Sequence, residues 1–213
     1  IDQTIGEMNG DPDSLHALLD LQNYRLAWWR SADPDLGYRR FFDIDTLIGL
    51  RMEDEQVFQD THSRVLEWVR EGVIEGLRID HLDGLRDPLE YLDRLRTAAP
   101  NAWIVAEKIL ESEETLPETW PIAGTTGYDF LNRVTGLFVD PDGERPLSDF
   151  YREFTGETRD YPGLVRDKKV LVLRNMLGSD VNRLTDLLLQ ICERHRRHRD
   201  YSRHQLAEAL REL

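Results

Sequence analysis

Two carboxylates, Asp80 and Glu107, each end a short apolar run of the sequence, residues 76–79 and 103–106. Both are therefore expected at the carboxyl ends of strands, where parallel α/β folds place their chemistry. Side chains two apart share a strand face, so Arg78 lies beside Asp80 and would lower its pKa, as a nucleophile requires. Glu107 follows apolar residues, surroundings that suit a general acid. Two carboxylates in such different environments are typical of glycosyl transfer.

The same residues allow other interpretations. Arg78 and Asp80 could form a purely structural ion pair beside a solvated Glu107. Asp80, His81 and Asp83 could also be metal ligands. Strand alternation, however, places His81 opposite Asp80, and no second cluster of histidine and aspartate accompanies them. We therefore predict no metal.

The elements that position the carboxylates are a strand, a helix and a strand. Asp87 is expected at the N-cap of the helix, with Pro88 at its first position and Glu90 completing a capping box. A second helix, expected over 53–72, leads directly into the first strand. The order helix, strand, helix, strand predicts parallel strands with a right-handed crossover, in an α/β barrel or a doubly wound sheet.

The rest of the chain is predicted to be loop and helix. Residues 1–11 are interpreted as a loop, followed by a helix that starts at Asp13 or Ser14 and ends near Ser31, before Asp33-Pro34. An acidic surface turn is expected over 111–119. Further helices are predicted over residues 128–139, 147–155, 162–177, 180–199 and 202–213. The predicted organisation is thus a barrel segment, 1–145, and a helical subdomain, 146–213.

Composition limits the function classes. The net charge of −14 over 213 residues argues against general binding of nucleic acid or anionic membranes, which require a cationic surface. A single cysteine, Cys192, forms no internal disulfide and suits a reducing cytoplasm. The sequence has no apolar run near the ~20 residues of a membrane span and no export leader. It begins at Ile1 in mid-pattern, so we expect a piece of a longer protein.

Several sequence blocks make a resemblance specific. Gly76-Leu-Arg-Ile-Asp-His-Leu-Asp-Gly-Leu-Arg-Asp-Pro88 resembles the nucleophile strand of the α-amylase clan of glycoside hydrolases, and more narrowly of the maltooligosyl trehalose synthases. The other matching blocks are Tyr38–Asp43, Ile104–Ile109, Leu116–Phe130 and Leu137–Asp140. The likeness extends over about residues 1–190. It implies part of an α-amylase-like (β/α)8 TIM-type barrel followed by the helical subdomain.

The resemblance also implies roles. Asp80 would be the nucleophile, Arg78 its partner and Glu107 the general acid/base. This family of glucosylmutases, which are isomerases, moves the reducing-end glucose of a maltooligosaccharide from an α-1,4 to an α-1,1 linkage, and neither a cofactor nor a metal is needed. Candidate substrate-binding residues are His81, Asp83, Arg39, Arg40, Trp120, Thr125 and Thr126.

Two departures from the clan pattern matter. Asp83-Gly84 stands where typical amylases carry a Lys-His pair, which favours a synthase. The clan's earlier Asn-His block and third aspartate are not in this sequence, and a full barrel needs about 250 residues. We therefore expect a segment that needs the remainder of the enzyme and is inactive alone. Two alternatives stay open, another hydrolase or transglucosidase of the clan and a non-catalytic helical interaction fragment over 146–213.

Overall fold

The computed structural model describes residues 2–32, 36–111 and 114–213. The chain divides into two compact units, one formed by Ile1–Ile48 with Asp160–Leu213 and the other by Gly49–Arg159. The domain boundary near residue 145, between a barrel segment and a helical subdomain, stays a prediction. Residues 33–35, which follow the expected helix end near Ser31, and residues 112 and 113 of the expected acidic turn lie outside the described residues.

The described residues form helices and short strands, which alternate only over residues 55–106. The helices are α1 (Asp2–Gly10), α2 (Pro12–Asp20), α3 (Glu55–Arg70), α4 (Pro88–Ala98), α5 (Tyr128–Gly136), α6 (Glu144–Thr155), α7 (Tyr161–Asn175), α8 (Gly178–Arg194) and α9 (Arg203–Glu212). The strands are β1 (Arg40–Phe41), β2 (Ile44–Ile48), β3 (Gly76–Ile79), β4 (Trp103–Ala106) and β5 (Gly124–Thr125).

The unit Gly49–Arg159 contains a parallel sheet in the order β3-β4-β5. The predicted strand–helix–strand segment is confirmed, as is the helix leading into it. The Asp87 side chain caps α4 by accepting a hydrogen bond from the Glu90 backbone N–H at 3.0 Å, and Pro88 occupies the first turn. The fold class is thus α/β with a small parallel sheet and many helices. The three described parallel strands are fewer than the eight of a complete barrel.

One face of this sheet is closed by helices. Ile104 and Ala106 of β4 are completely buried in a cluster with Phe58 of α3 and with Leu92 and Leu95 of α4. Burying one such large apolar side chain stabilises the fold by about 1.5–3 kcal/mol. The other strand face carries the site residues.

The unit of Ile1–Ile48 with Asp160–Leu213 combines an antiparallel pair, β1 and β2, with helices.

The four predicted helices of the last 70 residues are confirmed, with ends shifted by a few positions. The first of them, α6, belongs to the unit Gly49–Arg159. Among the helices of the described chain, none is long and apolar enough to cross a membrane.

Two predictions for the first thirty residues are wrong. Residues 2–10 form the helix α1 rather than a loop, although no side chain of that helix is buried. The next helix is capped by Asp11, because Pro12 takes the first helical position, and it ends at Asp20 rather than near Ser31. The apolar residues beyond its end, such as Leu21 and Leu26, are exposed, so no packing surface extends the helix.

Candidate active site

Strand pairing brings the two carboxylates together. The register pairs Gly76 with Trp103 and Ile79 with Ala106, so its next step sets Asp80 opposite Glu107. The prediction that they follow neighbouring parallel strands is confirmed. Because Asp80 and Glu107 lie an even number of residues beyond this first pair, both point away from the buried face.

A single guanidinium lies between the two carboxylates. Arg78 Nη1 lies 2.5 Å from Asp80 Oδ1, and Arg78 Nη2 lies 4.0 Å from Glu107 Oε2. The Glu107 side chain is 24% exposed, whereas those of Arg78 and Asp80 are 52% and 62% exposed. The planar fork of arginine suits such a shared contact, because it offers parallel donors that a lysine lacks.

The Asp80 carboxyl is held in its ionised form. Its pKa lies below its usual range, chiefly because Arg78 donates a hydrogen bond to it. Desolvation opposes this shift, and the neighbouring Glu107 carboxyl group and the charges of Arg78 and His81 support it. An ionised carboxylate fixed by a guanidinium can attack an electrophilic carbon, and a second carboxyl beside it can exchange protons with the leaving oxygen.

The backbone after β3 supplies a further contact to the site. The His81 N–H donates a hydrogen bond to Glu107 Oε2 at 2.8 Å. His81 adopts a left-handed conformation, with φ 50° and ψ 46°, and begins the short 3-10 turn Leu82–Gly84. Sequence reasoning missed this backbone donor, because a main-chain N–H leaves no residue-type signal.

Asp83, a predicted substrate-binding residue, pairs with a lysine in this structure. Lys108 Nζ lies 3.4 Å from Asp83 Oδ2 and 3.1 Å from Glu114 Oε1. Burial opposes the charge of Lys108, but these two carboxylates outweigh it and raise the lysine pKa.

The predicted rim loop, residues 120–127, runs along the free edge of β4. It contains β5, and the Thr126 N–H donates to the Ala106 carbonyl at 3.0 Å. The Thr125 hydroxyl donates to Asp129, which lowers the pKa of that carboxyl against the opposing effect of desolvation. The Thr126 hydroxyl is buried, with no hydrogen-bond partner among the described residues. The roles of Thr125 and Thr126 in substrate binding stay predictions.

Two side chains pin this loop to the core. Trp120 is half-buried and packs against the core cluster, which fits the structural alternative for this residue, whereas its use as a sugar platform stays a prediction. Arg96 of α4 donates to the Pro121 carbonyl from Nε at 3.0 Å and from Nη2 at 2.9 Å. Its Nη1 donates to the Ala102 carbonyl at 2.7 Å.

Arg39 and Arg40 lie in the other compact unit. The Arg40 side chain is only 2% exposed, forms an ion pair with Asp45 and donates to the Met176 carbonyl at 2.6 Å. These contacts are structural. A role for Arg39 or Arg40 in holding glucose stays a prediction.

Among the residues that the structure describes, no three His, Cys, Asp or Glu side chains come together as a metal site. The carboxylates Asp80 and Asp83 instead have the cationic partners given above, Arg78 and Lys108.

Comparison with known proteins gives consistent matches. No family model matches the chain. A Mycobacterium tuberculosis protein named as a maltooligosyl trehalose synthase is 44% identical over 180 residues, which are 84% of this chain and 23% of that protein. The structure of the maltooligosyltrehalose synthase from Arthrobacter ramosus matches with a TM-score of 0.78 and 46% identity, over 84% of this chain and 23% of its own. A hypothetical maltooligosyl trehalose synthase of Sulfolobus tokodaii matches with a TM-score of 0.74 and 35% identity, over 96% of this chain and 26% of its own.

The resemblance predicted from the sequence blocks is therefore confirmed: the chain is similar, in sequence and in structure, to a segment that makes up about a quarter of the length of maltooligosyl trehalose synthases.

Proposed function

We propose that this chain is the catalytic segment of a maltooligosyl trehalose synthase, an intramolecular glucosylmutase. The main support is the arrangement of Asp80 and Glu107, which follow neighbouring parallel strands on one face and are bridged by Arg78. This arrangement occurs in a chain that is 46% identical to the Arthrobacter ramosus synthase over 84% of its length.

The first step is the attack of the nucleophile. Asp80 attacks the anomeric carbon of the penultimate glucose while Glu107 gives a proton to the glycosidic oxygen, so the α-1,4 bond breaks and a covalent glycosyl-enzyme forms. Retaining enzymes perform this displacement with carboxyl groups ~5–5.5 Å apart. Arg78 keeps Asp80 ionised and oriented for the attack.

The second step reverses the first with a different hydroxyl. The freed glucose turns within the site, its anomeric hydroxyl gives a proton to Glu107, and the oxygen attacks the glycosyl-enzyme to form the α-1,1 bond. Water must be excluded, because otherwise hydrolysis competes. The residues proposed to hold the sugars are His81, Asp83, Arg39, Arg40, Trp120, Thr125 and Thr126.

The remaining parts of the proposal concern the complete enzyme. The chain spans about a quarter of the length of the relatives it matches. We place β3, β4 and β5 in an α-amylase-like (β/α)8 barrel whose other strands and third aspartate come from the remaining sequence. The enzyme is proposed to act on maltooligosaccharides in the cytoplasm without a cofactor.

The proposal is tested by counting reducing ends. The full-length enzyme that contains this segment is incubated with maltopentaose, and reducing ends and free glucose are measured together. A synthase lowers the number of reducing ends with little free glucose. A hydrolase of the same clan raises that number, which would contradict the proposal. The isolated 213-residue chain should show no turnover, because it lacks several preorganised charged contacts, each worth about 10²–10³-fold in rate.

A further inference from the structure

The turn after β3 holds a strained residue against the acid/base. His81 has a positive φ of 50°, a left-handed conformation that is uncommon for every residue type except glycine, although histidine adopts it more often than most. Strain of this kind persists only where the surrounding structure enforces it, and it is concentrated at functional sites.

The backbone on either side of His81 serves two contacts. Its N–H donates a hydrogen bond of 2.8 Å to Glu107 Oε2, and its left-handed φ and ψ then direct the chain into the turn Leu82–Gly84. The backbone N–H of Glu107 donates in turn to the Ile79 carbonyl at 2.7 Å. Glu107 is thus held at both its backbone and its carboxyl group by β3 and the turn that follows.

Gly84 provides the space that this turn requires. A Cβ atom at position 84 would lie 2.3 Å from Cδ2 and 2.6 Å from Nε2 of the His81 ring. The φ of Gly84 is not positive, so its backbone suits an L-residue and the imidazole is the obstacle to a side chain. Because Leu82 within the turn is completely buried in the core, the added Cβ should displace the partly buried His81 ring rather than the turn as a whole.

We propose that Gly84 is a positioning residue of the glycosyl-transfer site. By accommodating the His81 imidazole, it keeps His81 left-handed and its N–H directed at the Glu107 carboxyl. This inference rests on the proposed function for its catalytic consequence, whereas the contact between the ring and Gly84 can be tested independently of activity.

The test is a double-mutant cycle in the full-length enzyme. Gly84→Ala adds the clashing Cβ, His81→Gly removes the ring but keeps the N–H, and the double variant combines the two. Gly136→Ala is the matched control, because a Cβ there meets nothing within 4 Å and its φ is not positive. Gly84→Ala should lower kcat about 10²-fold, since a misplacement of about 1 Å costs that much. The double variant should be no slower than His81→Gly alone.

A substrate that needs no acid separates positioning from general damage. With α-maltotetraosyl fluoride the C–F bond breaks and fluoride leaves without a proton, while Asp80 bonds to the anomeric carbon. The initial burst of fluoride from Gly84→Ala should therefore stay within a few-fold of wild type, although the same variant is slow on maltopentaose. An equal loss on both substrates would overturn the positioning role.

Thermal unfolding supplies a readout besides activity. Gly84→Ala should lower Tm in the wild-type background and not in the His81→Gly background, and if Gly84→Ala alone fails to fold, the double variant should still fold. Gly84→Ala behaving like Gly136→Ala, or an equal loss in both backgrounds, would overturn the inference. A wild-type enzyme without mutase activity would instead refute the proposed function, while the Tm cycle would still decide the contact.

Discussion

The two faces of the β3–β4 pair differ sharply in what holds their residues. On the helix side, Ile104 and Ala106 are completely buried under α3 and α4. On the other side, Trp103 is 64% exposed and the carboxylates are held by hydrogen bonds with Arg78 and a backbone N–H. The first face belongs to a buried hydrophobic core that stabilises the fold. The second carries the proposed chemistry, so substitutions on the two faces should have different consequences.

The largest effect is expected from the catalytic face. Asp80→Asn should lower synthase activity at least about 10⁴-fold, because removing a nucleophile abolishes the covalent step. Its side chain is 62% exposed, so Tm should hardly change. Reducing-end assays and thermal unfolding measure the two effects, with Asp93→Asn on the exposed side of α4 as the control. A large fall in Tm would show that Asp80 also stabilises the fold, contrary to the contrast between the two faces.

The core face should show the opposite behaviour. Leu92→Ala should lower the free energy of unfolding, as measured by urea unfolding, by about 2–5 kcal/mol, because it leaves a cavity in a completely buried cluster.

Trp103, on the catalytic face, tests whether the complete enzyme covers that face. Trp103→Ala should lower the free energy of unfolding by no more than about 0.5 kcal/mol in the 213-residue chain, and by about 3–5 kcal/mol in the full-length enzyme, where the proposed barrel covers it. Urea unfolding of both proteins measures this difference. An equal loss of unfolding free energy in the two proteins would argue against a barrel that covers Trp103.

The bridging guanidinium tests how the catalytic face is ordered. Arg78→Lys should lower kcat about 10²-fold, because an ammonium cannot contact Asp80 and approach Glu107 with the same fork geometry. Arg86→Lys, at an exposed ion pair with Glu53, is the matched control and should be close to wild type. Near-normal turnover of Arg78→Lys would remove that residue from the site.

The smallest effect concerns a histidine on the helix side. His62 stacks on Phe58, and its Nε2 lies 2.8 Å from the Tyr91 hydroxyl. Burial lowers the pKa of His62, opposed by its hydrogen bond with the Phe58 carbonyl. His62 therefore binds a proton more readily in the unfolded chain than in the folded one. The stability that neutral His62 contributes is present above the unfolded pKa of 6.5 and is lost as the pH falls below that value. Urea midpoints between pH 7.5 and 5 should fall less for His62→Gln than for wild type or His16→Gln.

The parts of this site that the sequence predicts depend on local signals. The Asp87 N-cap followed by Pro88 fixes where α4 begins, although Glu90 pairs with Arg94 and does not complete the predicted capping box. The alternation in residues 76–80 and 103–107 fixes which side chains share a face. These signals suffice to predict the two parallel strands and the meeting of Asp80 with Glu107.

Other features depend on contacts between distant residues and left no local pattern. Strand β5 has two residues and exists because Ala123 and Thr126 pair with β4. The hydrogen bond of the His81 N–H reaches Glu107, 26 residues away. The end of α2 at Asp20 reflects the absence of a packing surface rather than a stop signal in the helix itself.

The contacts of Arg96 also bear on how this region tolerates changes in chain length. The guanidinium joins the end of α4 and the start of β4 to the carbonyl of Pro121. Residues from Pro121 onward are therefore located by a helix that precedes β4, together with the packing of Trp120 on the core. The length of the stretch 115–119 can then change while the rim of the site keeps its position.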